Sequence, residues 1–401
     1  MPRIVCLLPL PPPATGQSVV TATFLDALRP HATVEVVDTA DRAHVWRTSR
    51  TFPPARIAAW LGRLAEFRRR LGDAAGPPDA VYLTPASSVA GLLRDVAALA
   101  LVPRGVRIVA HAHMGDYGGL PERRGVRALA RWTVRRYERV LVPSEFAAAW
   151  LRRTVPEARV EVIPNPVSAA LRFTADEEAT ARAARRGRPA HVLFLSNMIP
   201  AKGYVPLAHA LAALAARGRA FTAAFVGAWA SEADRTAFVA LLAGLGLADR
   251  TEVPGAIPHT ALRPVLAAAS VIAFPSAMPE SFGMGLLEAM GAGCAVVATG
   301  HAAAPEIARD GLDGRLVPPG DADALADALA DVLDHADRYG ASAAVRARTA
   351  FAPEPFEAAF VRALLGPSAA APLRSEAPGT PDESSGVAAL SFVPPPTPRH
   401  A

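Results

Sequence analysis

The feature that most restricts the fold of this chain is a regular alternation between short apolar stretches and longer helical ones. It runs through the first half, breaks near residue 164 and then starts again. Strands separated by helical segments pair in parallel, and the helices cover both faces of the sheet. We therefore predict an α/β protein with two Rossmann-like, doubly wound domains. The predicted strands are 4–8, 33–37, 80–83, 106–110, 139–142 and 160–163, then 192–195, 221–226, 251–253, 271–274 and 295–298. The predicted helices are 19–28, 55–71, 88–101, 125–136 and 145–153, then 205–217, 233–245, 260–269, 284–291, 304–309 and 321–333.

The break between the two alternating halves predicts the domain organisation. Pro164-Asn165-Pro166 ends the first half, and a polar, charged stretch over 174–188 follows it. Two doubly wound domains in tandem place a ligand in the cleft between them, at the carboxyl ends of the strands. The predicted divisions are a first domain over 1–170, a linker over 171–190, a second domain over 191–350, a C-terminal helix over 351–366 and a disordered tail over 367–401, which is rich in Pro, Ala and Ser.

Composition excludes several classes of protein. A chain of 401 residues, 51% of them hydrophobic, has material for two cores. Cys6 and Cys294 lie in separate apolar runs, which argues against a disulfide framework and indicates a reducing compartment. The longest apolar stretch, 81–102, contains Arg94 and Asp95, which a bilayer disfavours. The apolar run at the start of the chain is too short for a signal peptide. We therefore expect a cytoplasmic enzyme.

The net charge of +5 is unevenly distributed, because arginines crowd two helical stretches. Arg124, Arg127, Arg131 and Arg135 follow a helical spacing and predict one basic face. That face is either simply solvated or docks on an anionic membrane or an acidic acceptor, which would place the protein at the inner face of the membrane. Nucleic acid is not expected as a partner, since no recognition motif accompanies the charge.

Lys202 is the only lysine in the chain, and the other 41 of the 42 Lys and Arg residues are arginines. A coding background that replaces Lys with Arg elsewhere indicates that an ammonium is needed here, because lysine is a compact point charge and a common phosphate binder. The loop 196–203, after a predicted strand, also holds Asn197, one of two asparagines in the chain. The alternative is an accidental surface lysine.

The strongest chemical signal is the segment Glu-Ser-Phe-Gly-Met-Gly-Leu-Leu-Glu-Ala-Met-Gly-Ala-Gly, which begins at Glu280 and follows a predicted strand. Gly283 and Gly285 let the backbone approach a ligand at the start of a helix, where free N–H groups and the helix dipole favour an anion. Glu288 lies about one turn further on, within reach of a hydroxyl group. This arrangement suits a nucleoside diphosphate with hydroxyls on each side, whereas two carboxylates at this spacing alone would be consistent with a solvated surface.

This segment resembles the C-terminal half of GT-B glycosyltransferases of family four, the retaining glycosyl transferases group 1. Further matches in order and spacing are Lys202-Gly203, Val142-Pro143-Ser144, Ile163-Pro164-Asn165, Ala304-Pro305-Glu306-Ile307 and the run 310–321. The resemblance covers residues 1 to about 365. It is specific in the second half and holds only in outline in the first.

The resemblance implies a donor site in the second domain and an acceptor side in the first. Lys202 would contact the diphosphate, Glu280 the sugar hydroxyls and Glu288 the ribose hydroxyls. Ile257 would border the nucleobase, and Gly16, beside Gln17, would let the N-terminal backbone approach the donor phosphates or the acceptor. The amides from Phe282 to Leu286 would hold the phosphate and the sugar. The candidate donor-binding residues are Gly16, Asn197, Lys202, Ile257, Glu280, Phe282, Gly283, Met284, Gly285, Leu286 and Glu288.

One position departs from the family pattern. Many members carry an arginine a few residues before the lysine, as a second cation for the diphosphate, and Asn197 stands there in this chain. Asparagine donates a hydrogen bond but supplies no charge. Lys202 and the helix N-terminus would then carry more of the leaving-group stabilisation, with Arg263 as an alternative second cation.

Two histidines follow the fourth predicted strand. His111 and His113 are two residues apart, so a strand would point them the same way. With Asp116 they suggest a metal site, whereas the resemblance implies a histidine that contacts the donor sugar, with His113 preferred over His111. A structural pair is the third interpretation.

The resemblance implies transfer of a sugar from a nucleotide-diphosphate sugar to an acceptor hydroxyl, with retained anomeric configuration. Charge develops on the departing phosphate, so preorganised donors there dominate, and no metal or cofactor is expected. The candidate catalytic residues are Lys202, Glu280 and His113. The acceptor is a glycan, a lipid-linked glycan or a small molecule. The alternatives are a nucleotide-sugar epimerase of the same fold and a non-catalytic nucleotide-sugar-binding protein.

Overall fold

The first half of the chain forms a six-stranded parallel sheet in the order β2-β1-β3-β4-β5-β6. The computed structural model describes residues 1–13, 15–40, 54–73, 76–113 and 119–366, so the predicted disorder of 367–401 lies outside the described residues. The elements are β1 (Arg3–Leu8), α1 (Gly16–Leu28), β2 (Thr33–Asp38), α2 (Pro54–Leu71), β3 (Ala80–Leu83), α3 (Val89–Leu101), β4 (Arg107–His111), α4 (Arg127–Arg136), β5 (Arg139–Val142), α5 (Glu145–Thr154) and β6 (Val160–Val162).

The second half forms another six-stranded parallel sheet, in the order β12-β11-β10-β7-β8-β9. Its inner strands are largely buried and flanked by helices, as the alternation predicts, whereas the two edge strands are partly exposed. The elements are α6 (Ala175–Arg185), β7 (Ala190–Leu195), α7 (Tyr204–Ala216), β8 (Phe221–Val226), α8 (Glu232–Gly244), β9 (Thr251–Gly255), α9 (Leu262–Ala268), β10 (Val271–Phe274), α10 (Met284–Gly291), β11 (Ala295–Thr299), α11 (Ala304–Ile307), β12 (Gly314–Val317), α12 (Ala322–Ala350) and α13 (Pro353–Leu365).

The predicted fold class is confirmed, and three local features differ from the sequence interpretation. Strand β12 was not predicted, because it is a four-residue edge strand that begins with a glycine. Helix α12 continues to Ala350 rather than ending at 333, since the chain resumes the helix after a kink at His335. The connection between the sheets contains α6, whose start is fixed by reciprocal hydrogen bonds between Thr174 and Glu177. The domain boundaries remain a prediction.

The last helix packs on the first sheet rather than on the second. Phe360 of α13 is fully buried, with ring centroids 4.6 Å from Phe24 and 5.1 Å from Tyr82. Arg107, at the start of β4, donates to the carbonyl oxygen of Leu364 at 3.0 Å and so caps the end of the helix. Truncating Phe360 to Ala would cost about 3–5 kcal/mol of stability. After the second sheet, the chain therefore returns to the first half through α13.

None of the described helices combines the length and the apolar character needed to cross a bilayer.

Candidate functional site

A cavity of about 560 Å³ lies between the two halves, where loops at the carboxyl ends of both sheets meet. Parallel strands deliver their following loops to one edge of a sheet, which is why residues distant in sequence converge there. Ten of the predicted donor-binding residues line the cavity, together with His113. They are Gly16, Asn197, Lys202, Ile257, Glu280, Phe282, Gly283, Met284, Gly285 and Glu288.

Lys202 reaches the cavity from a short turn after β7. Gly203 follows it with φ of +88°, and a Cβ atom there would lie 2.1 Å from the carbonyl oxygen of Pro275. Only glycine therefore allows the Lys202 turn to pack against the loop after β10. The ammonium forms an ion pair with the carboxylate of Glu280, and both side chains are largely buried.

Glu280 is held by more than the lysine. The hydroxyl of Ser276 donates to its carboxylate at 2.9 Å. The carbonyl oxygen of Ser276 in turn accepts from the hydroxyl of Thr299 at 2.6 Å and lies 2.8 Å from the Nε2 atom of His301. The carboxylate and the ammonium are thus held together at one point of the cavity wall, where a ligand group beside the pair would meet one charge of each sign.

Helix α10 begins at the cavity. Gly283, with φ of +116°, precedes the helix in a conformation that favours glycine. The first N–H groups of a helix lack partners within it, so those of Met284 and Gly285 belong to an anion-favouring end. The N–H of Leu286, in contrast, already donates to the carbonyl oxygen of Gly283 at 3.1 Å. Leu286 is also fully buried and does not line the cavity, so it is not placed to bind a ligand there.

Glu288 lies on the second turn of α10 and is 4% exposed. Its Oε1 atom is 3.1 Å from the Nε2 atom of His259, which comes from the turn after β9. Ile257, two residues earlier in the same loop, also lines the cavity. The loop after β9 and the helix after β10 therefore meet through this polar contact.

The first half closes the cavity with the start of α1. A Cβ atom on Gly16 would lie 4.0 Å from the Cγ atom of Met284, so the two halves are in near contact there. Met284 also packs against the core that the first sheet shares with α1 and α13. Gln17, beside Gly16, lines the cavity as well.

His111 and His113 stack at the end of β4 with ring centroids 4.2 Å apart. His111 is fully buried with its Nδ1 atom 2.9 Å from the hydroxyl of Tyr82, whereas His113 lines the cavity. Burial lowers the pKa of His113 to about 4, and burial and the neighbouring ring lower the pKa of His111 well below its usual 6.5. Both rings are therefore neutral near neutral pH. Asp116, the third member of the metal interpretation, lies outside the described residues.

The second cation is not Arg263. Its guanidinium lies 4.2 Å from the ring centroid of Phe173, donates to the carbonyl oxygen of Arg172 at 2.8 Å and pairs with Glu177 at 2.6 Å. Packing against the connection between the sheets thus holds it away from the cavity. Among the described residues that line the cavity there is no arginine, and Lys202 is the one permanently cationic side chain.

The predicted arginine face is only partly formed. Arg124 lies before α4, because Gly125 adopts a left-handed conformation and the helix begins at Arg127. Arg131 donates to the carbonyl oxygen of Thr154 at 2.6 Å, and Arg135 pairs with Glu157 at 2.7 Å. The prediction of one four-arginine helical face is therefore wrong.

Asn165 and His259 are among the polar residues that line the cavity without having been predicted as site residues. Asn165 is 4% exposed, and its Oδ1 atom has no hydrogen-bond partner within the described part of the chain. Asn165 is the other of the two asparagines, so the rarity that drew attention to Asn197 could have identified it. His259 gave a weaker signal, a single histidine close to Ile257.

Two side chains of the second half bond to the backbone of the first. The carboxylate of Glu306 accepts from the N–H groups of Glu145 at 2.8 Å and Phe146 at 2.7 Å, which are the first two of α5. The hydroxyl of Ser281 donates to the carbonyl oxygen of His113. A carboxylate at a helix N-terminus is stabilised by the free N–H groups and the dipole. These contacts fix the relative position of the two cavity walls.

Solved structures with the same architecture include sucrose-phosphate synthase from Thermosynechococcus elongatus, with a TM-score of 0.68 and 21% identity over 88% of this chain and 96% of that one. Anabaena Alr3699/HepE, solved in complex with UDP, has a TM-score of 0.68 and 20% identity over 91% of this chain and 99% of its own. The two facing sheets are thus those of the GT-B fold.

Curated relatives match shorter regions. A 2-deoxystreptamine glucosyltransferase of Streptomyces kanamyceticus is 30% identical over 52% of this chain and 54% of its own. A phosphatidyl-myo-inositol mannosyltransferase of Mycolicibacterium smegmatis is 35% identical over 48% and 47%. The chain therefore spans about half the length of these relatives.

Family models match both halves. The model described as Glycosyltransferase Family 4 matches residues 14–171, and the model described as Glycosyl transferases group 1 matches residues 189–335. Both matches include residues of the cavity, His113 in the first half and Lys202, Glu280 and Glu288 in the second. The chain therefore belongs to the family 4 glycosyltransferases, the glycosyl transferases group 1.

Proposed function

We propose that this protein is a retaining glycosyltransferase that moves a sugar from a nucleotide-diphosphate sugar to an acceptor hydroxyl without a metal cofactor. The observation that carries the proposal is the convergence of Lys202, Glu280, Glu288 and the start of α10 on one cavity, with His113 on the opposite wall. The family of the chain and the use of both halves to form the cavity support it.

The diphosphate is assigned to Lys202 and the first N–H groups of α10. Negative charge develops on the phosphate oxygen as the anomeric bond breaks, and fixed donors at that oxygen lower the barrier. Lys202 pairs with Glu280 in the structure, and an ammonium has three N–H donors, so it can contact a phosphate while keeping its carboxylate partner. The pair also holds the lysine in place before the donor arrives.

The remaining parts of the donor follow from the cavity wall. Glu288 accepts from the ribose hydroxyls, Ile257 borders the nucleobase, and Glu280 lies beside the sugar. His113 faces the sugar from the first half, where its lowered pKa of about 4 makes it a neutral hydrogen-bonding group rather than a cation. Gly16 and Asn197 complete the wall near the phosphates.

The donor base and the acceptor are proposed from the relatives. UDP is the first probe, because Anabaena Alr3699/HepE binds it. The named relatives act on 2-deoxystreptamine and on phosphatidyl-myo-inositol, so the acceptor is a small-molecule, glycan or lipid-linked hydroxyl compound.

A thermal-shift screen of UDP-, GDP- and ADP-sugars tests the proposal, since binding to the native state raises the unfolding midpoint. We expect one nucleotide class to raise the midpoint in EDTA, and proton NMR to show a retained anomeric configuration in the transferred sugar. An inverted product would contradict the retaining mechanism. Release of an epimerised sugar nucleotide without an acceptor would favour the epimerase, and failure of all three classes to bind would overturn the donor site.

We also propose that the first half contacts the anionic inner face of a membrane, through the layer formed by α2, α3 and α4. Large apolar side chains are exposed on each of these neighbouring helices. Arg124 and Arg127 are exposed at the start of α4, and Arg94 lies 5.6 Å from the ring centroid of Trp60. Basic residues around exposed apolar side chains suit an anionic lipid surface. The exposed apolar residues are Ile57, Leu61, Leu93 and Trp132.

Vesicle co-sedimentation tests this surface. Replacing Leu61 and Leu93 with Ser should release the protein from vesicles of equimolar phosphatidylglycerol and phosphatidylcholine. The matched control is Val239→Ser with Val345→Ser, two exposed apolar residues of the second half, which should leave binding unchanged. Equal sedimentation of both double variants would contradict the assignment.

A further inference from the structure

Within the described part of the chain, Glu288 is a buried carboxylate with one polar neighbour at hydrogen-bond distance. It is 4% exposed, and its Oε1 atom lies 3.1 Å from the Nε2 atom of His259. A buried carboxylate is costly unless donors satisfy it. The imidazole supplies such a donor when its proton is on Nε2.

The contact also fixes the direction of the carboxylate. With Oε1 engaged by the imidazole, the second oxygen, Oε2, is left for hydroxyl groups of a ligand in the cavity that Glu288 and His259 both line. A carboxylate accepts several hydrogen bonds, so one oxygen can serve two neighbouring hydroxyls. Without the imidazole, the side chain would lose its fixed orientation on α10.

His259 belongs to a different element from Glu288. It follows Pro258, whose ring restricts the backbone, and begins a single turn before α9. Ile257, which borders the proposed nucleobase position, is two residues away in the same loop. A base bound beside Ile257 would therefore pack on the same loop that holds the imidazole against the carboxylate proposed to receive the ribose.

We propose that His259 is a positioning residue that orients Glu288 toward the ribose hydroxyls of the donor. This inference rests on the proposed donor site and adds to it the residue that makes the ribose position specific. His259 acts through Glu288, so its effect depends on the hydroxyl groups of the ligand.

The test is a binding cycle with the nucleoside diphosphate, among UDP, GDP and ADP, that binds the wild type, and with its 2′,3′-dideoxy analogue. Isothermal titration of His259→Phe should show roughly 10-fold weaker binding of the natural nucleotide, the size of one hydrogen bond to a charged group. Binding of the dideoxy analogue should change less than about twofold, since it has no hydroxyls for Glu288 to hold.

His259→Gln is the conservative variant, because its amide N–H can replace the imidazole donor, and it should restore most of the affinity. Equal losses for both ligands in His259→Phe, or no loss for either, would overturn the positioning role. If His259→Phe does not fold, His259→Gln serves as the test. The positioning role would then be overturned if His259→Gln did not prefer the natural nucleotide over the dideoxy analogue as strongly as the wild type does. A wild type that binds none of the three nucleotides would instead overturn the donor site, which distinguishes the two failures.

Discussion

The two halves of the molecule share a fold but present different chemistry to the cleft. The second half contributes charged groups that neighbours hold in place, such as Lys202 with Glu280 and His259 with Glu288. The first half contributes the backbone at Gly16 and the neutral ring of His113. This difference is the basis of our proposal that Lys202 and the start of α10 in the second half bind the nucleotide diphosphate, and that the first half faces the uncharged sugar and the acceptor.

Lys202→Ala, which removes the cation that the second half contributes to the cavity, should have the largest effect on turnover. Removing one preorganised donor at a developing anion typically lowers turnover by about 10²–10³-fold. Lys202→Arg should also be harmful, because a planar guanidinium does not replace a compact ammonium in this turn. Steady-state turnover with the best donor found in the screen is the measurement.

The matched control is Arg217→Ala, which removes an exposed cation paired with Asp327 in the same half. Its turnover should stay within about twofold of the wild type, since exposed ion pairs contribute little. Near-normal turnover in Lys202→Arg would show that this position does not require an ammonium.

His113→Ala should affect the sugar and leave the nucleotide alone. The loss of one hydrogen bond to a sugar hydroxyl predicts turnover lower by about 10-fold, with the dissociation constant of the nucleoside diphosphate unchanged. Initial-rate kinetics and isothermal titration measure the two quantities separately. Weaker binding of the nucleotide itself would place His113 in the wrong part of the donor site.

Glu306→Ala tests the connection between the halves. Loss of a helix-capping carboxylate typically costs about 1 kcal/mol, so the unfolding midpoint should fall by a few degrees. Ser144→Ala is the matched control, because the Ser144 hydroxyl caps the same helix from within the first half, at 3.2 Å from the N–H of Ala147.

Of these two variants, only Glu306→Ala should increase the radius of gyration measured by X-ray scattering, since Glu306 bonds across the cleft and Ser144 does not. An equal radius of gyration and an equal loss of stability in both variants would show that Glu306 only caps α5 and does not hold the two halves together.

The stability of the protein should also depend on pH, through two groups of the first half. His111 and His113 have pKa values below 6.5 when folded, the second at about 4, because burial disfavours the charged ring. The unfolded chain therefore binds protons that the folded chain does not, and this stability is complete above about pH 6.5 and is lost as the pH falls.

Urea unfolding at about pH 7 and about pH 5.5 should show a decrease of about 1 kcal/mol for each of the two rings, in a range above most carboxylate titration. His113→Phe should reduce the slope. A free energy of unfolding that rises on acidification would contradict the assignment of neutral, buried rings.

The same contrast explains what the sequence could and could not predict. The residues proposed to bind the donor could be predicted because they lie within nine consecutive positions, so the start of one helix specifies their geometry. They are Glu280, Gly283, Gly285 and Glu288. Secondary structure followed from the alternation, since buried parallel strands leave near-continuous apolar runs.

Contacts between segments that are distant in the sequence could not be predicted in this way. The contact between His259 and Glu288 joins the turn after β9 to helix α10. Arg263 is held away from the cleft by Phe173 and Glu177, which are distant in sequence and meet it only in the folded structure. Helix α12 exceeded its prediction because tertiary packing continued it past the kink at His335. The prediction of the arginine face was wrong because the left-handed conformation of Gly125 places the start of α4 two residues later than predicted.

Isothermal titration of UDP, GDP and ADP into the wild type, Glu288→Ala and Lys202→Ala tests the central claim most directly. We predict that the wild type binds one equivalent of one of these nucleotides and that both variants bind it at least about 10-fold more weakly, because each loses a hydrogen bond involving a charged group. Wild-type affinity in both variants, or no binding of any of the three nucleotides to the wild type, would contradict the claim that this cleft holds a nucleotide-sugar donor.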